Sequence, residues 1–311
     1  MELNNEHAPV LSVKNLSVKF KMYTTGAKQR DLEVISNLSV DIRAGEVLAV
    51  VGSSGSGKSL LAHSVLGILP RNASISGDLQ YNGEPLTPQL QAKLRGHEIA
   101  LVPQSVSFLD PLMRIDSQVI GTTATREKQR KIFERYQLSK AVERMYPHQL
   151  SGGMARRVLV ATAVIGEAKL IIADEPTPGL SPDLARETLQ NFRELADQGA
   201  AVMLITHDID LAFQIADRIA VFYAGTTVEV ANVADFQGDG SQLRHPYSRA
   251  FLAALPQNEF RAISGFQPYA GALPEGCLFH PRCKYCTQEC KERTPPMREL
   301  RGGEVRCIHA T

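Results

Sequence analysis

Apolar and polar residues alternate from Val10 to Phe20 and again from Val34 to Ile42. A period of two marks strands with one buried face, so two half-buried antiparallel strands are predicted near the start of the chain. Three later runs do not alternate: Val47-Leu-Ala-Val-Val51 stops at Gly52, Leu170-Ile-Ile-Ala173 at Asp174, and Val202-Met-Leu-Ile-Thr206 at His207. Short continuous apolar runs predict strands covered on both faces of a parallel sheet. Ligands of open α/β sheets bind in the crevice beyond the carboxyl ends of the strands, so the three polar stops predict one shared site. Between Ser181 and Gly199 the chain carries helix signals: Ser181 as N-cap, Pro182 in the first turn, Asp183 at the positive end and Gly199 as the stop. The stretch from Ser117 to Gln149 has no long apolar run and contains Arg126-Glu-Lys-Gln-Arg-Lys131, which predicts a small helical insertion with a solvated face. Beyond Leu255-Pro256 the pattern gives way to Gly, Pro and Cys, which predicts a boundary to a loop-rich appendix.

Composition narrows the class. Of 311 residues, 43% are hydrophobic and 22% charged, which excludes disordered and collagen-like chains. Lys plus Arg is 34 against 33 for Asp plus Glu, so there is no global basic field to draw nucleic acid, and no nucleic-acid partner is expected. The longest apolar window, Val158 to Gly166, ends at Glu167 and Lys169 and falls short of a membrane span. The opening Met1-Glu-Leu-Asn-Asn-Glu has neither a basic nor an apolar leader region, so a cytosolic chain is expected. All five cysteines, Cys277, Cys283, Cys286, Cys290 and Cys307, lie in the appendix. In a reducing compartment such a cluster predicts a metal rather than disulfides, and Cys283-x-x-Cys286 has a zinc-like spacing.

Gly52-Ser53-Ser54-Gly55-Ser56-Gly57-Lys58-Ser59 fits G-x-x-x-x-G-K-[ST] between a predicted strand and a predicted helix. Its glycines let backbone N–H groups wrap phosphates at a helix N-terminus, Lys58 reaches the β- and γ-phosphates, and the Ser59 hydroxyl ligates Mg²⁺. Asp174 and Glu175 end an apolar strand, giving one carboxylate to hold Mg²⁺ through water and a second to orient or deprotonate the attacking water. Leu150-Ser-Gly-Gly-Met154 offers backbone N–H groups and a hydroxyl for a second phosphate contact.

These residues, in this order and spacing, resemble the ATP-binding-cassette (ABC) family over about residues 10 to 255. Gly52 to Ser59 looks like its Walker A loop, Gln104 its Q-loop, Leu150 to Met154 its signature, Asp174 and Glu175 its Walker B, and His207 its switch histidine. The resemblance implies an α/β P-loop NTPase fold of parallel core sheet, antiparallel β subdomain and helical subdomain (about 105–165), all within residues 1–255. It implies ATP held by Gly52 to Ser59, Phe20 and Gln104, with Phe20, or else Tyr23, stacked on adenine. Mg²⁺ is then held by Ser59, Gln104 and Asp174, with Glu175 and His207 catalytic. Two such domains sandwich two ATP molecules, so Ser151, Gly152 and Gly153 serve the nucleotide of a second homologous ATPase.

Within the family, Tyr146-Pro147-His148-Gln149, His245-Pro246-Tyr247 and Gly276-Cys277…His280-Pro281-Arg282-Cys283 look like the dipeptide, oligopeptide and nickel importer ATPases. That implies two transmembrane permease subunits, an indirect link to an extracytoplasmic substrate-binding protein, and a peripheral place on the cytoplasmic face of the inner membrane. It also implies a cysteine-rich extension, 256–311, in which Cys277, Cys283, Cys290 and Cys307 hold an iron–sulfur cluster of the [4Fe-4S] type, with Zn²⁺ the alternative and Cys286 extra. Ser181 departs from the usual Asp of the loop between the two ATP sites, and the helical insertion is short for the group. A soluble ABC ATPase uncoupled from transport is the alternative. The stretch between Ser59 and Ser151 is too short for the long insertions of repair members, and one cassette is fewer than translation members carry.

Overall fold

The computed structural model describes residues 8–23, 29–121 and 124–311, so the opening Met1 to Glu6 lies outside the described residues. Strands β1 (Leu11–Tyr23), β2 (Gln29–Ile42), β4 (Ala73–Tyr81) and β5 (Glu84–Pro85) form an antiparallel sheet in the order β2-β1-β4-β5, with Phe20 paired to Leu32 on one side and Ala73 on the other.

The second sheet carries the site. Its strands are β3 (Val47–Gly52), β6 (Ile99–Val102), β7 (Leu170–Asp174), β8 (Ala201–Ile205), β9 (Arg218–Tyr223), β10 (Thr226–Asn232), β11 (Arg298–Leu300) and β12 (Gly303–Val305). Among the described residues their order is β11-β12-β10-β9-β3-β8-β7-β6, parallel from β9 to β6 and antiparallel across the rest. The continuous apolar runs have a physical cause. In β3, Val47, Ala49 and Val51 enter one core cluster while Leu48 and Val50 enter the other. In β7, Ile171 and Ala173 face the first cluster and Leu170 and Ile172 the second, so neither face tolerates a polar residue.

The helix Pro182–Asp197 starts where its signals place it: Ser181 Oγ accepts from Leu184 N, and Leu189, Phe192 and Ala196 are buried against the sheet. Ser181 therefore acts as an N-cap. The insertion is helical, with helices Ile115–Ile120 and Arg126–Arg135 and short 3₁₀ turns at Lys140–Arg144 and Pro147–Gln149. The Arg126 to Lys131 face is solvated except at Gln129. Arg135 docks the insertion to the helix Pro182–Asp197 through Glu187 at 2.6 Å and Glu194 at 2.8 Å.

The appendix differs from the expected loop-rich tail. The β11–β12 hairpin extends the main sheet through β10, with Glu229 opposite Val305 and Val230 opposite Glu304. Buried Arg306 donates to Thr227 O at 3.1 Å and, at 2.7 Å, to Asn37 O in the antiparallel sheet. Phe279 sits in the core among Tyr223, Tyr247 and His245. Three-residue strands are too short to show a period, and their pairing comes from tertiary context.

Candidate functional site

Parallel register brings the carboxyl ends of β3, β6, β7 and β8 to one edge. Ile205 lies opposite both Val50 and Asp174, so Gly52, Asp174 and His207 emerge together. Between them opens a cleft of about 350 Å³ lined by Val34, Ser54 to Leu60, Gln104, Asp174, Glu175 and His207. Gly52 is required by close approach, since a Cβ there would collide with the Phe222 carbonyl oxygen. The helix Lys58–Leu66 begins at Gly57, φ 95°, with no side-chain cap. Its first N–H groups are left for an anion at the positive helix end.

The charges in the cleft are arranged for a phosphate and a cation. Lys58 Nζ donates to Gly52 O at 2.9 Å and Ser53 O at 3.1 Å, and its pKa is lowered by burial against the opposing pull of Glu175 and Asp174. Burial also raises the Asp174 carboxyl above its usual range, countered by a hydrogen bond from Ser59. Asp174 Oδ1, Glu175 Oε2 and Ser56 Oγ are buried with no partner among the described residues. Orphaned oxygens beside the Lys58 loop suit a divalent cation and a phosphate, because leaving them unpaired carries a desolvation penalty.

Glu175 has φ 49°, a left-handed backbone held by its N–H to Ile205 O at 2.9 Å. Such a conformation costs about 1–3 kcal/mol. It turns the carboxylate toward His207, whose Nδ1 is 2.8 Å from Glu175 Oε1. The Glu175 side chain is 9% exposed and the His207 side chain 68%, so a fixed acid faces a solvent-side imidazole.

Other expected residues are placed elsewhere. Ser151, Gly152 and Gly153 open the helix Gly152–Val164, with Ser151 Oγ accepting from Met154 N at 3.3 Å. Ser151 and Gly152 are exposed and none of the three lines the cleft. Phe20 packs against the second core cluster and is not among the cleft residues, and Tyr23 is 73% exposed. Sequence reasoning missed Val34, which lines the cleft from β2. It also missed buried Arg156, which donates to Pro103 O at 2.7 Å and Pro178 O at 3.4 Å and ties the helix Gly152–Val164 to the residue before Gln104. Burial lowers the Arg156 pKa, with Glu175 and Asp174 acting the other way.

The cysteines form a loose group. Burial pushes the Cys277 thiol up to about 11, and the neighbouring Cys307, Cys290 and Cys283 push the same way. Cys283 is raised by burial, then by Cys307, Cys290 and Cys286. Cys290 Sγ is 3.4 Å from His309 Nε2. The donor set suits a thiolate-bound metal in kind. Among the described residues no three metal-binding side chains stand together as a preformed site.

The family model described as "ABC transporter" matches residues 35–178, and that described as "Oligopeptide/dipeptide transporter, C-terminal region" matches residues 228–290. The oligopeptide transport ATP-binding protein OppD of Escherichia coli K12 is 33% identical, the alignment covering 96% of this chain and 92% of that protein. The dipeptide transport ATP-binding protein DppD of Haemophilus influenzae is also 33% identical, over 96% of this chain and 94% of its own. Among solved structures, the ABC cassette MJ0796, a dimer in a post-hydrolysis state bound to ADP and Pi, superimposes with a TM-score of 0.63 at 24% identity, covering 72% of this chain and 98% of that one. That likeness speaks to the fold.

Proposed function

The chain belongs to the ABC transporter family, in its oligopeptide and dipeptide transport branch, and on that premise we propose how its residues divide the work of ATP hydrolysis in a peptide importer. The observation that carries the reading is the single cleft joining the Lys58 loop to Gln104, Asp174 and the Glu175–His207 pair. Backbone N–H groups of Gly52 to Ser59 wrap the phosphates, and Lys58 exchanges its two loop carbonyls for phosphate oxygens. Ser59, Gln104 and Asp174 hold Mg²⁺, which supplies charge neutralisation along the phosphates. Glu175 accepts the proton of the attacking water, and His207 holds that carboxylate in place and faces the γ-phosphate from the solvent side. Phe20 is our assignment for adenine stacking, on the strand that pairs with the one carrying Val34.

Ser151, Gly152 and Gly153, all outside the cleft of their own chain, serve the nucleotide of a second homologous ATPase, so the working unit is a pair on two transmembrane permease subunits. Among the described residues no helix is long and apolar enough to cross a membrane, in keeping with a peripheral subunit on the cytoplasmic face of the inner membrane. Residues 1–255 are the cassette and 256–311 an extension in which Cys277, Cys283, Cys290 and Cys307 bind a [4Fe-4S] cluster, a structural staple for a segment with little core of its own. The relatives named for peptide transport favour peptides over nickel as cargo. Uptake of labelled di- and oligopeptides and of ⁶³Ni²⁺ in a deletion strain tests this. Loss of peptide uptake restored by the gene supports it, and loss of nickel uptake alone refutes the peptide reading.

A further inference from the structure

The phosphate loop touches the C-terminal extension. Ser53 Oγ donates to Gln267 Oε1, across 214 residues of chain. Ser53 is the residue whose carbonyl receives Lys58 Nζ at 3.1 Å. Neither Ser53 nor Gln267 is among the residues that line the cleft. The loop is thus held at Ser53 by a side chain of the C-terminal extension that does not line the cleft.

The segment bearing Gln267 is itself anchored. Arg282, the residue before Cys283, donates to Ile263 O at 2.9 Å, Ser264 O at 2.8 Å and the Tyr223 hydroxyl at 3.3 Å. Tyr223 ends the strand beside β3 and lies 4.5 Å, centroid to centroid, from Tyr247. Pro268 restricts Gln267 to an extended backbone, which removes one route by which the side chain could drift from Ser53. One arginine therefore ties the cysteine segment to Ile263, Ser264 and the aromatic cluster of Tyr223.

We infer that Gln267 is a positioning residue for the phosphate loop, fixing Ser53 and through it the carbonyl that sets Lys58, so that the extension controls nucleotide affinity. This rests on the reading of the cleft as the ATP site. Gln267 is not among the residues that line the cleft. Its effect falls on binding and spares the chemistry at Glu175.

Titration of Mg-ADP into the full-length chain tests it. Gln267→Ala should weaken binding roughly three- to tenfold, the usual net worth of one hydrogen bond. Ser53→Ala should do the same, and the double variant should be no weaker than either alone, because both remove one shared contact. Phe266→Ala, changing a neighbour 95% exposed, should bind as the wild type does. In the assembled transporter Gln267→Ala should raise KM for ATP and keep kcat. Unchanged Mg-ADP affinity in Gln267→Ala, losses that add in the double variant, or a fall in kcat at constant KM would each overturn the inference. A wild-type chain that binds no Mg-ADP would instead overturn the reading of the cleft.

Discussion

His207 Nδ1 stands 2.8 Å from Glu175 Oε1, joining the residues that follow two adjacent parallel strands. The pair lines the same cleft as the Lys58 loop, where we propose that Glu175 is the general base. Removing the carboxylate charge should therefore stop the chemistry and leave the phosphate site whole. Glu175→Gln should keep ATP binding and lower turnover by about 10²–10⁴, the usual worth of a general base. Lys58→Ala should do the reverse and weaken binding, since it deletes a charge that contacts phosphate. Single-turnover assays of the assembled complex with the partner's site disabled separate the two, and near-normal hydrolysis by Glu175→Gln would remove the residue from its assigned role.

Ser151, which we propose serves a partner's nucleotide, lies outside the cleft of its own chain. If that cleft is completed only by another subunit, the purified chain should be a poor ATPase. Its rate should rise when the second ATPase and the permease subunits are added. Equal rates for the monomer and the assembled complex would contradict the shared site.

Much of this was legible in the sequence because its causes are local. The runs ending at Gly52, Asp174 and His207 are continuous since both sheet faces are covered, and parallel register then forces their ends together. Ser181 caps a helix because its own hydroxyl reaches a nearby N–H. What escaped depends on distant partners. Arg156 reads as an ordinary helix arginine until Pro103 and Pro178 arrive beside it. Val34 is one alternation among several, and its place in the cleft comes from how the two sheets meet. The β11–β12 hairpin has no period to read, and Gln267 lies in a stretch without regular structure.

His245 gives the fold a pH dependence. It is fully buried, and burial lowers its pKa from 6.5 to about 3, while its Nδ1 accepts from Tyr247 N at 3.0 Å as the N-cap of the helix Pro246–Ala253. Protonation would place a proton on that acceptor. The unfolded chain takes up the proton first, so between about pH 6.5 and 3 the unfolded state binds more protons and stability falls as the pH is lowered. The contribution is fully present above that window. His245→Asn keeps a side-chain acceptor for the cap and removes the titration. Urea unfolding from pH 7.5 to 5 should show a shallower loss of stability for the variant. Parallel curves would mean that His245 does not control this range.

The cysteines make the last prediction, because their chemistry separates three outcomes. Burial and mutual repulsion hold the Cys277 thiol near 11, so without a bound cation the group stays protonated at neutral pH. A metal reverses this by favouring the thiolates. Protein purified without oxygen should be brown and carry about four irons per chain if four cysteines hold a [4Fe-4S] cluster. Serine at Cys277, Cys283, Cys290 or Cys307 should lose the iron, and serine at Cys286 should keep it. The β11–β12 hairpin ending just before Cys307 is part of the main sheet. Loss of the metal should therefore lower the thermal stability of the whole chain, and not merely loosen a tail. A colourless protein with one zinc per chain would replace the cluster with a structural zinc site. Iron kept in Cys290→Ser and lost in Cys286→Ser would move the fourth ligand to Cys286, and a metal-free chain of equal stability would leave these thiols with no ligand role.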